Sequence, residues 1–174
     1  QQLLAAVVEE PTDFGAYFSL KSSVEEDSQI GSAIQNMLLA AKAEPDQWRY
    51  GLRSIELLNK GKRYDQALDL STKYHKEFPK NYILTLAHVR TLLLNKEYKR
   101  AEDELQQVET LPFEGATEGH NYFVQSKLML AYQYIQQKKY KEASLKVEES
   151  RGWPLRLGVG EPYPAEKNEI LADW

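Results

Sequence analysis

The amino-acid sequence predicts an all-α fold, a right-handed superhelical solenoid of antiparallel helix pairs, on three observations. An aromatic residue, two polar residues and an alanine recur as Tyr64-Asp65-Gln66-Ala67, Tyr98-Lys99-Arg100-Ala101 and Tyr140-Lys141-Glu142-Ala143, each opening a stretch with helical apolar spacing. Ala67 and Ala101 stand 34 residues apart, and the same step back from Ala67 reaches Ala33, inside the helical run Ile30, Ala33, Ile34, Met37, Leu38 and Ala41. Pro11, Pro45 and Pro79 keep the interval of 34, each just past an apolar helical pattern, where proline ends a helix.

The elements follow from that frame. Residues 1–11 read as the second helix of a half repeat, and residues 12–45, 46–79 and 80–112 as complete helix pairs. Alanine at the recurring position lets the two helices of a pair approach, and the aromatic fills the gap at the turn. Ala101 and Ala143 are 42 residues apart, eight more than the period, and the surplus is assigned to an insertion at 113–119, since a repeat array tolerates extra residues at a turn. A further pair covers 120–151. A linker at 152–164, stiffened by Pro154, Pro162 and Pro164, carries aromatics expected to pack back on that pair. A truncated helix occupies 165–174. The whole is expected to be one helical-repeat domain cut from a longer protein, because it starts without Met and stops inside a helical pattern at Leu171 to Trp174.

A 34-residue helix-turn-helix period with a small residue on the second helix and a proline after it resembles the tetratricopeptide repeat superfamily, over nearly all of the chain and most strongly from Asp46 to Ser150. Gly51, Thr85 and Lys127 depart from the pattern, standing where the first helix often carries a large aromatic. Tyr74 stands where the second helix often carries a small residue. The resemblance implies a concave binding face lined by first helices. Members that grip carboxylate tails do so with Lys, Asn and Arg at fixed groove positions, whereas the central position here holds Phe18, Leu52, Leu86 and Leu128, so that clamp is not carried over. Residues 148–163 resemble the segment between repeats in large bacterial proteins that join a β-rich, carbohydrate-enzyme-like domain of unknown function to such repeats. That likeness implies a multidomain bacterial parent and a cytoplasmic or periplasmic setting.

Composition narrows the function classes. The 174 residues carry 22 basic and 26 acidic side chains, a net charge of -4, which lacks the clustered positive excess of a nucleic-acid surface. Cysteine is absent, which removes disulfides, thiolate nucleophiles and Cys-based zinc sites. No stretch approaches the roughly 18 apolar residues of a membrane span, and residues 1–8 lack the basic start of a signal peptide.

No catalytic or cofactor constellation emerges. His75, His88 and His120 have no helical metal spacing, and His88 is expected to be a core histidine satisfied by a hydrogen bond. Glu25, Glu26, Asp27, Asp103 and Glu104 read as solvated acidic faces, and Ser22-Ser23 as polar surface or a turn. Gly158 and Gly160 have no preceding strand and no following Gly-Lys-Ser/Thr, so they read as turn glycines rather than a phosphate loop. No metal or cofactor is expected.

The frame instead places a candidate groove on the first helices: Arg49, Glu56, Asn59 and Lys60 with Leu52 in one pair, Arg90 with Leu86 and Leu93 in the next, and Gln125, Tyr132 and Gln136 with Leu128 in the last. Mixed apolar and hydrogen-bonding side chains suit an extended peptide or a helix. The leucines are equally suited to a core role. The expected function is a non-catalytic scaffold for a protein or peptide partner, or for flanking domains of the parent chain. The alternatives are an accessory domain of a carbohydrate-processing protein and a homo-oligomer formed through exposed solenoid ends.

Overall fold

The computed structural model describes residues 13–111, 116–158 and 160–161. The half repeat at 1–11 and the truncated helix at 165–174 lie outside them. The described residues form α-helices and one short 3-10 turn, with no strand. Two compact units divide the chain, Gln1–Glu97 and Tyr98–Trp174.

The first unit contains α1 (Phe14–Glu25), α2 (Ile30–Ala43), α3 (Trp48–Lys60), α4 (Tyr64–Glu77) and α5 (Tyr82–Leu94). α1, α3 and α5 begin at intervals of 34, as do α2 and α4, so the sequence period is the structural period. Each helix packs on the next in sequence, and α3 also meets α5, the neighbour rule of a repeat array. Asp13 caps α1 by accepting the Ala16 N–H at 2.8 Å, and Asn81 caps α5 by accepting from Ile83 and Leu84. The core is Ile34, Met37 and Ala40 of α2 with Leu57 and Leu58 of α3 and Ala67 of α4, continued by Ile55, Tyr74 and Leu84. Burying one such Leu or Ile side chain stabilises by about 1.5–3 kcal/mol.

The departures from the repeat pattern compensate each other in the second pair. A Cβ on Gly51 of α3 would run into the Tyr74 ring of α4. Tyr74 is buried, stacked on Phe78 at 6.0 Å, and occupies the space a first-helix aromatic would take. At the same repeat positions the first pair has Tyr17 and Ala40, the ordinary order of large and small.

The turns inside the pairs share one device. Lys62, Lys96 and Lys138 have φ of 58°, 62° and 60°, the left-handed conformation that closes a helix C terminus. Around Lys62 the Arg63 N–H reaches Leu58 O and the Lys62 N–H reaches Asn59 O. The other two turns repeat this ring pattern at Leu92 and Leu93, and at Tyr134 and Ile135. The last unpaired carbonyls of α3, α5 and α7 are thereby satisfied.

The second unit contains α6 (Tyr98–Leu105), α7 (Glu118–Gln136), α8 (Tyr140–Ser150) and the 3-10 turn Leu155–Leu157. α7 packs on α6, on α8 and on the 3-10 turn. α7 has 19 residues against 13 in α3 and α5, so six of the eight inserted residues extend its N terminus as helix rather than enlarging the turn. Those added turns are where 152–158 folds back. Trp153 lies 3.5 Å from the His120 ring, and Leu157 is buried with its carbonyl against Gly119. Arg156 donates to Leu105 O and Gln106 O, and its own carbonyl accepts from the Thr110 N–H at 2.8 Å. Gly158, at φ 132°, passes so close to Ala116 O that a side chain there would clash. Insertion and linker are one feature, a strap clamping the start of α7.

Candidate functional site

On the first unit, the first-helix face is largely closed by its own charges. Arg53 of α3 donates to Glu26 and, at 2.9 Å, to Glu56, while Lys60 donates to Glu26 at 2.9 Å and Asp27 at 3.4 Å. The Lys60 hydrogen bond holds the Glu26 carboxyl below its ordinary range against the opposing effect of burial, and Arg53 adds to the lowering. Glu56 and Lys60 are thus engaged within this lattice. Arg49 is exposed and stacks its guanidinium over Trp48 at 4.7 Å, and Arg90 is exposed on α5. Asn59 is a different case: it is 7% exposed and donates to Thr91 Oγ1 at 2.9 Å, and Thr91 in turn donates to Ala87 O. Asn59 therefore links α3 to α5 instead of lining a groove. Leu86 and Leu93 are buried, and Leu52 is half-buried against the Ile55, Tyr74 and Leu84 cluster.

The second unit presents the opposite chemistry. Leu128, Tyr132 and Ile135 of α7 are 43%, 54% and 49% exposed, and their spacing of four and three residues puts them within about 60° of arc. Gln125 and Gln136 flank this stripe, both exposed. The turn and helix start beyond it carry Lys138, Lys139 and Lys141, also exposed. Ile135 escaped the repeat frame; its signal is its place seven residues after Leu128 on the same helical face.

Behind the stripe, α7 is anchored by a buried ion cluster. Lys127 donates to Glu102 of α6 and Glu149 of α8, each at 2.5 Å, and Lys146 donates to the same two carboxylates at 2.7 and 2.8 Å. Burial pushes the Glu102 carboxyl up, but hydrogen bonds from Lys127, Lys146 and Lys99 outweigh it and bring it down to about 2. Lys127 and Lys99 lower Glu149 and Glu102 differently: Glu149 is lowered chiefly by Lys127 and Lys146, while Lys99 adds to Glu102 at 2.9 Å. Burial opposes the charge of Lys146, yet Glu102 and Glu149 raise it above the ordinary lysine range. With Lys99 also paired to Asp103 at 2.8 Å, three cations, Lys99, Lys127 and Lys146, balance three anions, Glu102, Asp103 and Glu149.

The remaining polar residues are structural. His88 is 2% exposed and shares a 2.8 Å hydrogen bond with Ser71, and its ring stacks on His75 at 5.2 Å. Among the described residues no group of three or more His, Asp or Glu side chains is placed to hold a metal ion. Ser22, expected at the surface or in a turn, is instead buried in α1 and donates to Ala33 O at 2.7 Å. Glu25 is no solvated carboxylate either, since it accepts from Ser32 and Asn36 of α2 at 2.6 Å. Among the described residues no helix is long and apolar enough to cross a membrane.

No protein-family model and no curated protein matches the chain. Solved structures of MamA, a tetratricopeptide-repeat protein, are similar to it in fold. The MamA RS-1 ArsTM double mutant aligns with a TM-score of 0.59 at 10% identity, over 86% of this chain and 80% of that one. MamA MSR-1 C2 aligns with a TM-score of 0.59 at 14% identity, over 86% and 82%. At these identities the likeness is one of fold: all-α, with helix pairs of the tetratricopeptide type.

Proposed function

We propose that the chain is a non-catalytic, tetratricopeptide-like scaffold that binds a segment of another protein on the α7 face made by Leu128, Tyr132 and Ile135, with Gln125 and Gln136 as hydrogen-bonding flanks. The observation that carries this reading is the exposed apolar stripe itself: where the first unit fills its first-helix face with ion pairs and buries Leu86, the second leaves Leu128 and Tyr132 in water. An aromatic with a polar tip between two aliphatics is the composition of an interface centre. The lysines at 138, 139 and 141 favour a segment with acidic residues beside its apolar ones.

A peptide-display selection on the immobilised chain tests this. Enriched segments should combine apolar and acidic residues and should lose binding to a Leu128→Glu, Tyr132→Glu variant while keeping it to Gln35→Glu on α2. Equal binding to both variants would remove the face from consideration.

A further inference from the structure

α7 presents a single narrow ridge to water. Glu118, Asn121, Gln125, Leu128, Tyr132 and Ile135 are exposed, and apart from Gln136 every other residue of the helix is buried or half-buried. The spacing alternates three and four residues and keeps the six within about 100° of arc, the seam along which two helices lie side by side at a shallow angle. Polarity changes along the ridge: an acid, two amides and three apolar side chains, followed by Lys138, Lys139 and Lys141 in the turn and the start of α8. Among the described residues neither Glu118 nor any of these lysines has an ion pair. Glu118 accepts a hydrogen bond from Tyr122 at 2.5 Å, and Lys139 lies 5.9 Å from the Tyr134 ring. The charges beside the α3 face differ, since Arg53 and Lys60 are paired with Glu26, Asp27 and Glu56.

On α7, then, opposite charges without ion pairs stand at the two ends of a helix about 28 Å long, too far apart to meet within one chain. An antiparallel copy of α7 brings them together. With a two-fold axis midway between Leu128 and Tyr132, Leu128 of each copy faces Tyr132 of the other, and Gln125 faces Ile135. Glu118 then falls within about 6 Å, along the axis, of Lys138 and Lys139 of the second copy, a gap that a lysine side chain spans. Apolar side chains cover one another at the centre while acid meets base at both rims, which is the self-complementarity an isologous contact requires.

We infer that a second copy of this chain occupies the α7 face, pairing α7 with α7 antiparallel about that axis. The inference rests on reading the stripe as a binding face and names its occupant when no other partner is present. One helix face on each side buries less than the roughly 1,200 Å² of a standard interface, so the dimer is weak and reversible, and a partner segment displaces it.

The chain has no cysteine, so single introduced thiols report the pairing. Gln125→Cys and Ile135→Cys are made as separate chains and oxidised alone and mixed. Facing positions come within the roughly 7 Å that a disulfide needs, whereas two copies of one position stand about 15 Å apart. The mixture should therefore form disulfide-linked dimers about tenfold faster than either chain alone, and by a similar factor faster than a mixture of Gln125→Cys with Ser144→Cys. Adding Leu128→Glu to both chains should lower the rate to that of the Ser144→Cys control, with helicity by circular dichroism unchanged. Equal rates in mixture and control overturn the inference, as does a rate indifferent to Leu128→Glu. Dimers formed as fast by either chain alone overturn the antiparallel pairing. Sedimentation gives a second reading without introduced thiols: the mass should rise with concentration in the wild type and not in Leu128→Glu. A wild type that stays monomeric at the cross-linking concentration overturns the inference. Where it falls but display-selected segments still depend on Leu128 and Tyr132, the second copy is excluded and the binding face stands.

Discussion

Gly51 and Tyr74 show how a repeat keeps its volume while exchanging which helix supplies it. A Gly51→Ala change puts a methyl into the Tyr74 ring and should cost about 1–3 kcal/mol by overpacking. Tyr74→Ala removes a buried aromatic and should cost about 3–5 kcal/mol. The double change Gly51→Tyr, Tyr74→Ala restores the Tyr17 and Ala40 order of the first pair. Urea unfolding should therefore show it at least about 1 kcal/mol more stable than the sum of its single changes predicts. The turn lysines make a second residue-scale case. At Lys62, Lys96 and Lys138 a left-handed backbone is imposed on a residue with a Cβ, so replacement by glycine should raise stability by about 0.5–1 kcal/mol at each, read from the urea midpoint. The composition of the turn does not reveal this device: Gly61, the residue type that most readily adopts a left-handed φ, stands beside Lys62 at φ -77°, while the left-handed φ of 58° belongs to the lysine.

At the scale of elements, the buried cluster around Lys127 and the strap on α7 carry the predictions. Glu102→Gln leaves Lys127 and Lys146 sharing Glu149 alone and should destabilise the second unit by about 3–5 kcal/mol, while a joint Glu102→Leu, Lys127→Met, Lys146→Met change should recover most of that. Since Glu102 is held below its unfolded value, its contribution is present above about pH 4.5 and is lost as pH falls towards 2. Urea midpoints from pH 7 to pH 2 should drop over that window in the wild type and less in Glu102→Gln. Trp153→Ala should speed amide exchange at 118–123 and leave 128–136 unchanged, since within α7 Trp153 and Leu157 of the strap bear on the added turns, at His120 and Gly119. The sequence marked Lys127 as a departure, but its meaning depends on carboxylates 25 residues before it and 22 after it on other helices. Likewise the extra residues before α7 and the linker after α8 carry no shared periodicity, so only packing shows them to be one feature.

Over the whole molecule, the 34-residue period carried the fold class and the helix starts, because close packing between neighbouring pairs repeats the same volume demands at the same positions. The candidate site was legible in part. The frame put Gln125, Leu128, Tyr132 and Gln136 on one face, and all four are exposed, while Asn59, put on the groove by the same rule, is buried and drawn to Thr91. Leu52, Leu86 and Leu128 share one repeat position but differ in exposure, which depends on neighbours and not on spacing. The central claim is that the α7 stripe binds polypeptide. A photo-reactive side chain at position 132, compared with one at position 144 on the polar face of α8, tests it most directly. Adducts to a polypeptide partner are expected at 132, and few at 144. No polypeptide adduct at 132, or equal yields at the two positions, would contradict it.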